Sequence, residues 1–511
     1  MMDADKPPEN IVIAGAGASG LYTAWRLIES GHPAERLQVI ETGDRVGGRL
    51  WSDPMRGAEA LPAELGGMFF NDAQPLVFGL CSTVFKLDKA PVTPEPAFAW
   101  LRSRRLTIEQ FADPDRLPYN LRPDEQGLSY MGLLMLAIDR IAPDLKHQWP
   151  ADPDGTREAS LEYLKALEFE GRLLADWGFW NLLARVISNE AWMALRDIIS
   201  DYTLLGNWNG FDAIVSLVLE QAGHWYRLIH GYQKLPEAMA RSIRDAGVTI
   251  EFGHALERVH KHPDGGVLID VSSSRGERRI AADRLIMALP QAPIREILAA
   301  SPELARTRLA GLMTAIESIP ACKIFLTFDQ PWWRDVPDGP GLIKDETYGV
   351  SHTDLPMRQC YYLGVDPVSG QGLVMASYGD GQAVEFWRAL QPDSGSGGQL
   401  ESPLGPQAMA EISRQLSEMH GIKVPLPLEG VFINWTERPF GGGWHYWMPG
   451  YRSWQIARRI ITPAEDWPGH ICGEAWSEAQ GWTEGALQSA EELLQTVFSL
   501  PVPDFIDNSG S

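Results

Sequence analysis

Three glycines at fixed spacing, Gly15, Gly17 and Gly20 in NIVIAGAGASGLYTAWRL (Asn10 to Leu27), are the residues of this chain that point most directly to chemistry. The first permits a tight turn, the second lets backbone approach a pyrophosphate, and the third lets a helix pack closely on a strand. The apolar run before them reads as a β-strand and the residues after them as a helix, whose N-terminus offers unpaired N–H groups to phosphates. GxGxxG alone is a weak signal, and a glycine turn in an ordinary βα unit is its plain alternative. Here a strand-like run, LQVIE, follows and ends in Glu41, 21 positions after Gly20, where an acid accepts the hydroxyls of an adenosine ribose. An acid in place of an arginine disfavours a 2′-phosphate, so FAD or NAD is expected rather than NADP.

Two further glycine pairs follow. TGDRVGGRLWS holds Gly47 and Gly48, which leave room for a cofactor, and Arg49, which can pair with a phosphate or lie at the surface. AELGGMFF (Ala63 to Phe70) sets Gly66 and Gly67 before an apolar run, suiting either backbone laid flat against a ligand ring or a hairpin turn.

The elements that must hold these loops come from a long chain. At 511 residues two to four structural units are expected, and 44% hydrophobic with 22% charged residues is a globular composition. No apolar run of about 18 residues reaches the length of a membrane span. The start, MMDADKPPEN, lacks the basic and apolar regions of a secretory signal, so a cytoplasmic location is the default expectation. A formal charge of −23 argues against nucleic acid or an anionic membrane as partner. Cys81, Cys322, Cys360 and Cys472 form no CxxC pair, so neither a zinc site nor a disulfide framework is expected, and all four read as buried or incidental thiols.

From Pro118 to Leu219 apolar residues recur at three and four spacing in SLEYLKAL, FWNLLARVI, NEAWMALRDII and DAIVSLVLEQA, as in an inserted helical block. GYQKLPEAMARSIRDAG reads as a turn and amphipathic helix. VTIEF, ALERV, GVLIDVSS and DRLIMALP read as short strands that would complete the first sheet. A mixed region from Ile319 to Tyr451 carries strand-like KIFLTF and LVMASYG. Its aromatics, in PWW (Pro331 to Trp333) and GGGWHYWMPGYRSW (Gly441 to Trp454), offer flat apolar area for a pocket wall, although for any one of the 19 tryptophans a core position is the better expectation. GHICGEAWSEAQGWTEGALQSAEELLQ closes the chain as strand, loop and helix, and SGSGG (Ser394 to Gly398) and DNSGS at the end read as flexible linkers.

Together, GAGASGL with Glu41 and GGRLWS, AELGGM, and CGEAWSEAQGWTEGAL resemble the flavin-containing amine oxidase superfamily, in particular its L-amino acid oxidase branch with the bacterial phenylalanine, lysine and tryptophan oxidases and monooxygenases. The resemblance spans nearly the whole chain. It implies a mixed α/β fold: a discontinuous Rossmann-like FAD domain (1–75, 223–316 and 455–511), a substrate domain on a mixed β-sheet (76–117 and 317–454), and an inserted helical domain (118–222). Toward FAD it implies Gly15, Gly17, Ser19 and Gly20 at the turn, Glu41 on the ribose, Arg49 on the pyrophosphate and Leu256 on the adenine through its backbone. Glu474 would bind the ribityl chain, Gly66, Gly67 and Met68 would line the isoalloxazine, and Trp482 and Thr483 would lie near its pyrimidine end.

By the same resemblance Lys323, in PACKIFLTFDQPWW, matches a lysine that holds a water against flavin N5. There a desolvated amine can position water, help activate oxygen or accept a proton, whereas the plain alternative is an exposed strand lysine. SHTDLPMRQCYYLG resembles the TDLP segment of amino acid oxidases. Tyr378 matches the tyrosine that binds a substrate carboxylate, Trp482 an aromatic wall, and the Gly481 carbonyl an acceptor for the substrate amine.

One residue departs from the pattern. The family arginine that clamps the carboxylate follows ELGGM directly, and this chain has Phe69 there. Either Arg102, Arg104, Arg105 or Arg358 takes over, or the substrate lacks a carboxylate at that point. The expected activity is oxidation of an L-amino acid with a large apolar or aromatic side chain to 2-oxo acid, ammonia and hydrogen peroxide, with molecular oxygen as second substrate. Oxidative decarboxylation to an amide, oxidation of an amine, and a flavin-binding scaffold without turnover are the alternatives, and a homodimer stays open as the assembly.

Overall fold

The structure, a computed structural model, describes residues 9–93, 96–145, 156–199, 206–219, 223–336, 349–392, 400–464 and 467–506. The expected linkers at 394–398 and 507–511 lie outside these.

IVIA (Ile11–Ala14) is the middle strand of a five-stranded parallel sheet, ordered Thr249–Phe252, Leu37–Glu41, Ile11–Ala14, Arg284–Met287 and Gly469–Ile471. All four of its residues are buried, as a parallel strand covered on both faces requires. Its strands come from three distant stretches of sequence. The helices Ala18–Glu29 and Thr483–Phe498 pack against each other, and in their interface the Tyr22 hydroxyl and the Arg26 guanidinium both bond Glu491. Leu76, Val77, Leu80 and Cys81 join the same core, so the chain stays with this layer for several residues past 75.

Only part of the expected strand set completes this sheet. Thr249–Phe252 and Arg284–Met287 do, but His254–Lys261, Val267–Ser273 and Gly276–Ala282 form a separate three-stranded antiparallel sheet. VLIDVSS alternates buried with half-buried residues, a period that suits a sheet covered on one face, while in ALERV a register shift puts two exposed residues between buried Leu256 and Val259.

A second, mixed sheet of eight strands is ordered Glu401–Pro403, Glu429–Asn434, Ala321–Phe328, Gly372–Asp380, Gln359–Val365, Gly349–Thr353, Phe98–Leu101 and Arg104–Thr107. Its strand ACKIFLTF (Ala321–Phe328) is buried at every position. Register sets one row of side chains across four strands: Lys323 faces Tyr378, Tyr378 faces Gln359, and Gln359 faces His352.

The helical block holds Tyr130–Ile141, Thr156–Ala166, Phe179–Val186, Asn189–Ile198 and Gly210–Ile214. Ser129, Ser188 and Asn209 each accept a backbone N–H at a helix start, the usual role of short polar side chains there. The block shares one core with Ala99, Leu101, Leu106 and Phe111 of the second sheet and the loop after it, which fixes it over the sheet's edge.

Candidate functional site

The turn after the first strand is built as its glycines dictate. Gly15 has φ +105°, and a Cβ there would sit 2.6 Å from the Ala288 carbonyl oxygen. At Gly20 a Cβ would come within 2.0 Å of the Gly15 carbonyl oxygen, so only glycine lets the helix close on the strand. At Gly17 nothing but the Cα of Gly48 lies within 4.0 Å, leaving its backbone open to an approaching group. Glu41 sits beneath the turn, where its carboxylate accepts from the Ala16 N–H at 2.7 Å and the Gly43 N–H at 2.8 Å.

This turn forms one end of a cavity of about 1010 Å³, larger than most single-ligand pockets, which span about 300–1,000 Å³. Gly15, Gly17, Ser19, Glu41, Arg49, Leu256, Glu474 and Thr483 line it, as do Gly66, Gly67 and Met68. Gly20 does not; its place is in the packing behind the turn. At Gly66 a Cβ would lie 1.9 Å from the Arg49 carbonyl oxygen, so the two glycine loops are pressed together and leave flat backbone toward the cavity.

Glu474 is the electrostatic centre of the wall. Its buried carboxylate takes Arg49 Nη1 at 2.7 Å, His445 Nδ1 at 2.8 Å, and the N–H groups of His445 and Gly481 at 3.0 and 2.8 Å. Burial alone would raise its pKa, but Arg49 and His445 reverse this and hold it down at about 2. Arg49 thus spends Nη1 on Glu474 and on the Gly443 carbonyl. The resemblance placed Arg49 and Glu474 on different parts of a cofactor; here they also bond each other. His445 gave no signal in the sequence, because its partner lies 29 positions away and the two meet only through tertiary contact.

Lys323 is buried, 2% exposed, and the exposed-strand alternative is excluded. Its Nζ donates to the carbonyls of Glu64, at 2.8 Å, and Gly66, and stands 4.8 Å from the centroid of the Tyr378 ring. Burial pulls its pKa well below the lysine range, with Glu64 opposing in part. The neutral amine is therefore within easy reach, and it is fastened to the same Gly66 loop that borders the dinucleotide end.

Beyond Lys323 the cavity turns aromatic. Phe69, Tyr378, Gly481 and Trp482 line it together with Trp208, Trp225, Tyr361 and Trp444, none of which the sequence singled out individually. Trp482 packs on Trp225 with centroids 5.2 Å apart, and Trp208 meets Trp444 edge to face. Of the two aromatic segments expected at a pocket, only the second contributes: Trp332 and Trp333 are core, packed on His420 and Tyr362.

None of the four arginines expected to replace the missing clamp reaches the cavity. Arg102 pairs with Glu190, Arg104 is exposed and bonds the Arg116 carbonyl, and Arg105 bonds the Met419 carbonyl. Arg358 is fully buried and donates to the carbonyls of Thr353, Arg196 and Ile199. Among the described residues, Arg49 is the only arginine lining the cavity.

A family model described as flavin containing amine oxidoreductase matches residues 18–492. Aplysianin-A of Aplysia kurodai is 27% identical over 524 residues, covering 96% of this chain and 90% of the relative. An L-amino-acid oxidase of Mus musculus is 25% identical, covering 94% and 69%. In fold, a double mutant of putrescine oxidase superposes with a TM-score of 0.69 at 19% identity, covering 96% of this chain and 99% of that one.

Proposed function

The chain belongs to the flavin-containing amine oxidoreductases, and on that premise we propose that it is an FAD-dependent L-amino-acid oxidase acting on substrates with large apolar or aromatic side chains. The observation that carries this reading is Lys323: a buried amine, bonded to the Gly66 loop, at the point where a glycine-lined end and an aromatic end of one cavity meet. The L-amino-acid oxidases among the relatives support the substrate class.

The residues present fit FAD. Gly17 leaves the turn open, Glu41 stands under it for the ribose, the remaining N–H groups of Arg49 answer the pyrophosphate, and Gly66 and Gly67 offer flat backbone to a ring. FAD bound there supplies the hydride acceptor for the amine-bearing carbon and the electrons that oxygen takes up as hydrogen peroxide. The chain's own groups do the rest. Neutral Lys323 holds a water or takes a proton beside the reacting carbon, the Gly481 carbonyl accepts from the substrate amine, and the Tyr378 hydroxyl donates to its carboxylate. The tryptophan walls exclude water and align the Cα–H bond.

Phe69 favours a second reading, oxidation of amines that carry no carboxylate, since a carboxylate buried without a cation is costly by several kcal/mol. Product analysis decides. Purified enzyme is assayed for peroxide with L-phenylalanine, L-tyrosine, their amides and the matching amines. A 2-oxo acid with ammonia supports the proposal, carbon dioxide with an amide makes the enzyme a monooxygenase, and faster turnover of amines than of acids overturns the amino-acid assignment.

A further inference from the structure

The row that begins at Lys323 ends at a group the reaction does not use. His352 lies three strands away in the same register, about 14 Å between Cα atoms at the usual strand spacing of about 4.8 Å. Like Lys323, Tyr378 and Gln359, it lines the cavity. Its Nδ1 lies 2.8 Å from the Ile198 carbonyl oxygen on the helical block, and a carbonyl can only accept, so Nδ1 carries the proton. Burial holds the ring neutral, with a pKa lowered to about 4, an effect that Arg358 reinforces and the Ile198 bond opposes. Nε2 is then an acceptor without a hydrogen, and among the described residues nothing donates to it. Beside it are Ile198 and Tyr361, with the amide of Gln359 facing it across the strands and accepting at Oε1 from the Tyr361 hydroxyl.

A neutral acceptor among apolar and uncharged polar side chains selects its ligand by chemistry. An ammonium would lose its hydration there without gaining a counter-charge, a costly exchange. A hydrocarbon side chain would leave Nε2 dry and unpaired. A neutral donor at the end of an aromatic ring satisfies both walls and acceptor.

We propose that His352 is a specificity-determining residue, whose Nε2 accepts a hydrogen bond from the far end of the substrate side chain and so selects aromatic substrates bearing a phenolic O–H or indole N–H. This rests on the oxidase reading above and deepens it. The expected rank is L-tyrosine over L-phenylalanine by about tenfold in kcat/KM, with 4-fluoro-L-phenylalanine, similar in size but without a donor, grouped with phenylalanine.

The test is this series on the wild-type holoenzyme and on His352→Asn, which keeps an N–H for the Ile198 carbonyl but deletes the Nε2 acceptor. The tyrosine-to-phenylalanine ratio should collapse toward one in the variant. A wild-type ratio near one, a fluoro substrate that tracks tyrosine, or a ratio unchanged in a flavin-loaded variant overturns the role of His352. Tyramine and phenethylamine are run in parallel. If only the amines turn over, the amino-acid reading fails, and their ratio judges His352 on its own. If neither pair turns over, both fail.

Discussion

Lys323 and Glu474 are both buried ionisable groups whose pKa values are lowered, yet the result is a neutral group in one case and a charged one in the other. At Lys323 desolvation by burial favours the uncharged amine and outweighs the Glu64 charge, although two carbonyls and the Tyr378 ring also lie against Nζ. Activity should therefore rise with pH through a limb below the ordinary lysine range, and Lys323→Met should abolish that limb and slow turnover by about 10²-fold or more; stopped-flow reduction and reoxidation across pH check both. Glu474 faces Arg49, His445 and two N–H groups, and stays ionised down to about 2. Because its folded pKa lies below the unfolded value, the stability it contributes is complete above about pH 4.5 and fades as pH falls toward 2. Glu474→Gln takes the carboxylate from a part-exposed Arg49 and from buried His445 and should cost about 1–3 kcal/mol near neutrality. In denaturant titrations the gap from wild type should shrink over that acid window.

At the level of elements, the two glycines that look alike in the sequence do different work. Gly17→Ala has space for its methyl group, so the fold should stand while FAD binding weakens. Gly20→Ala drives a methyl into the Gly15 carbonyl and should cost stability by about 1–3 kcal/mol or more, visible in the melting of cofactor-free protein. The strand, turn and helix here were legible because the signal is local, and the same holds for the closing Gly469–Phe498 segment. What stayed hidden depends on register and on faces. Nothing in KIFLTF, LVMASYG and SHTDLPMRQ reveals that Lys323, Tyr378, Gln359 and His352 share one row, because strand pairing between distant segments leaves no mark on either alone. Trp332 and Trp333 misled for a related reason: a short loop has no period to tell core from cavity. Arg102, Arg104, Arg105 and Arg358 were plausible by charge, yet each is engaged elsewhere by carboxylates or carbonyls that only the fold brings near.

The whole molecule carries a formal charge of −23, and a field of that sign concentrates cations and leaves zwitterions largely unmoved. With a cationic amine as substrate, kcat/KM should fall at least about threefold between low and high salt, whereas with a neutral zwitterionic amino acid it should barely change. Equal salt sensitivity for the two would mean that the field plays no part at the cavity. The helical block shares its core with the edge of the eight-stranded sheet, and across that junction the Ile198 carbonyl bonds His352.

The parallel sheet has a temporal consequence. Its middle strand is made at residue 11, its last at residue 469, and the first helix is tied to Glu491 by Tyr22 and Arg26. During translation, then, the glycine turn leaves the ribosome early but waits for almost the entire polypeptide before its neighbours arrive. A synthesis aborted anywhere short of the final strand leaves a product that lacks Glu474 and Trp482, and hence a finished cradle. The oxidase activity proposed above would thereby stay silent until that final strand and the loop after it are made.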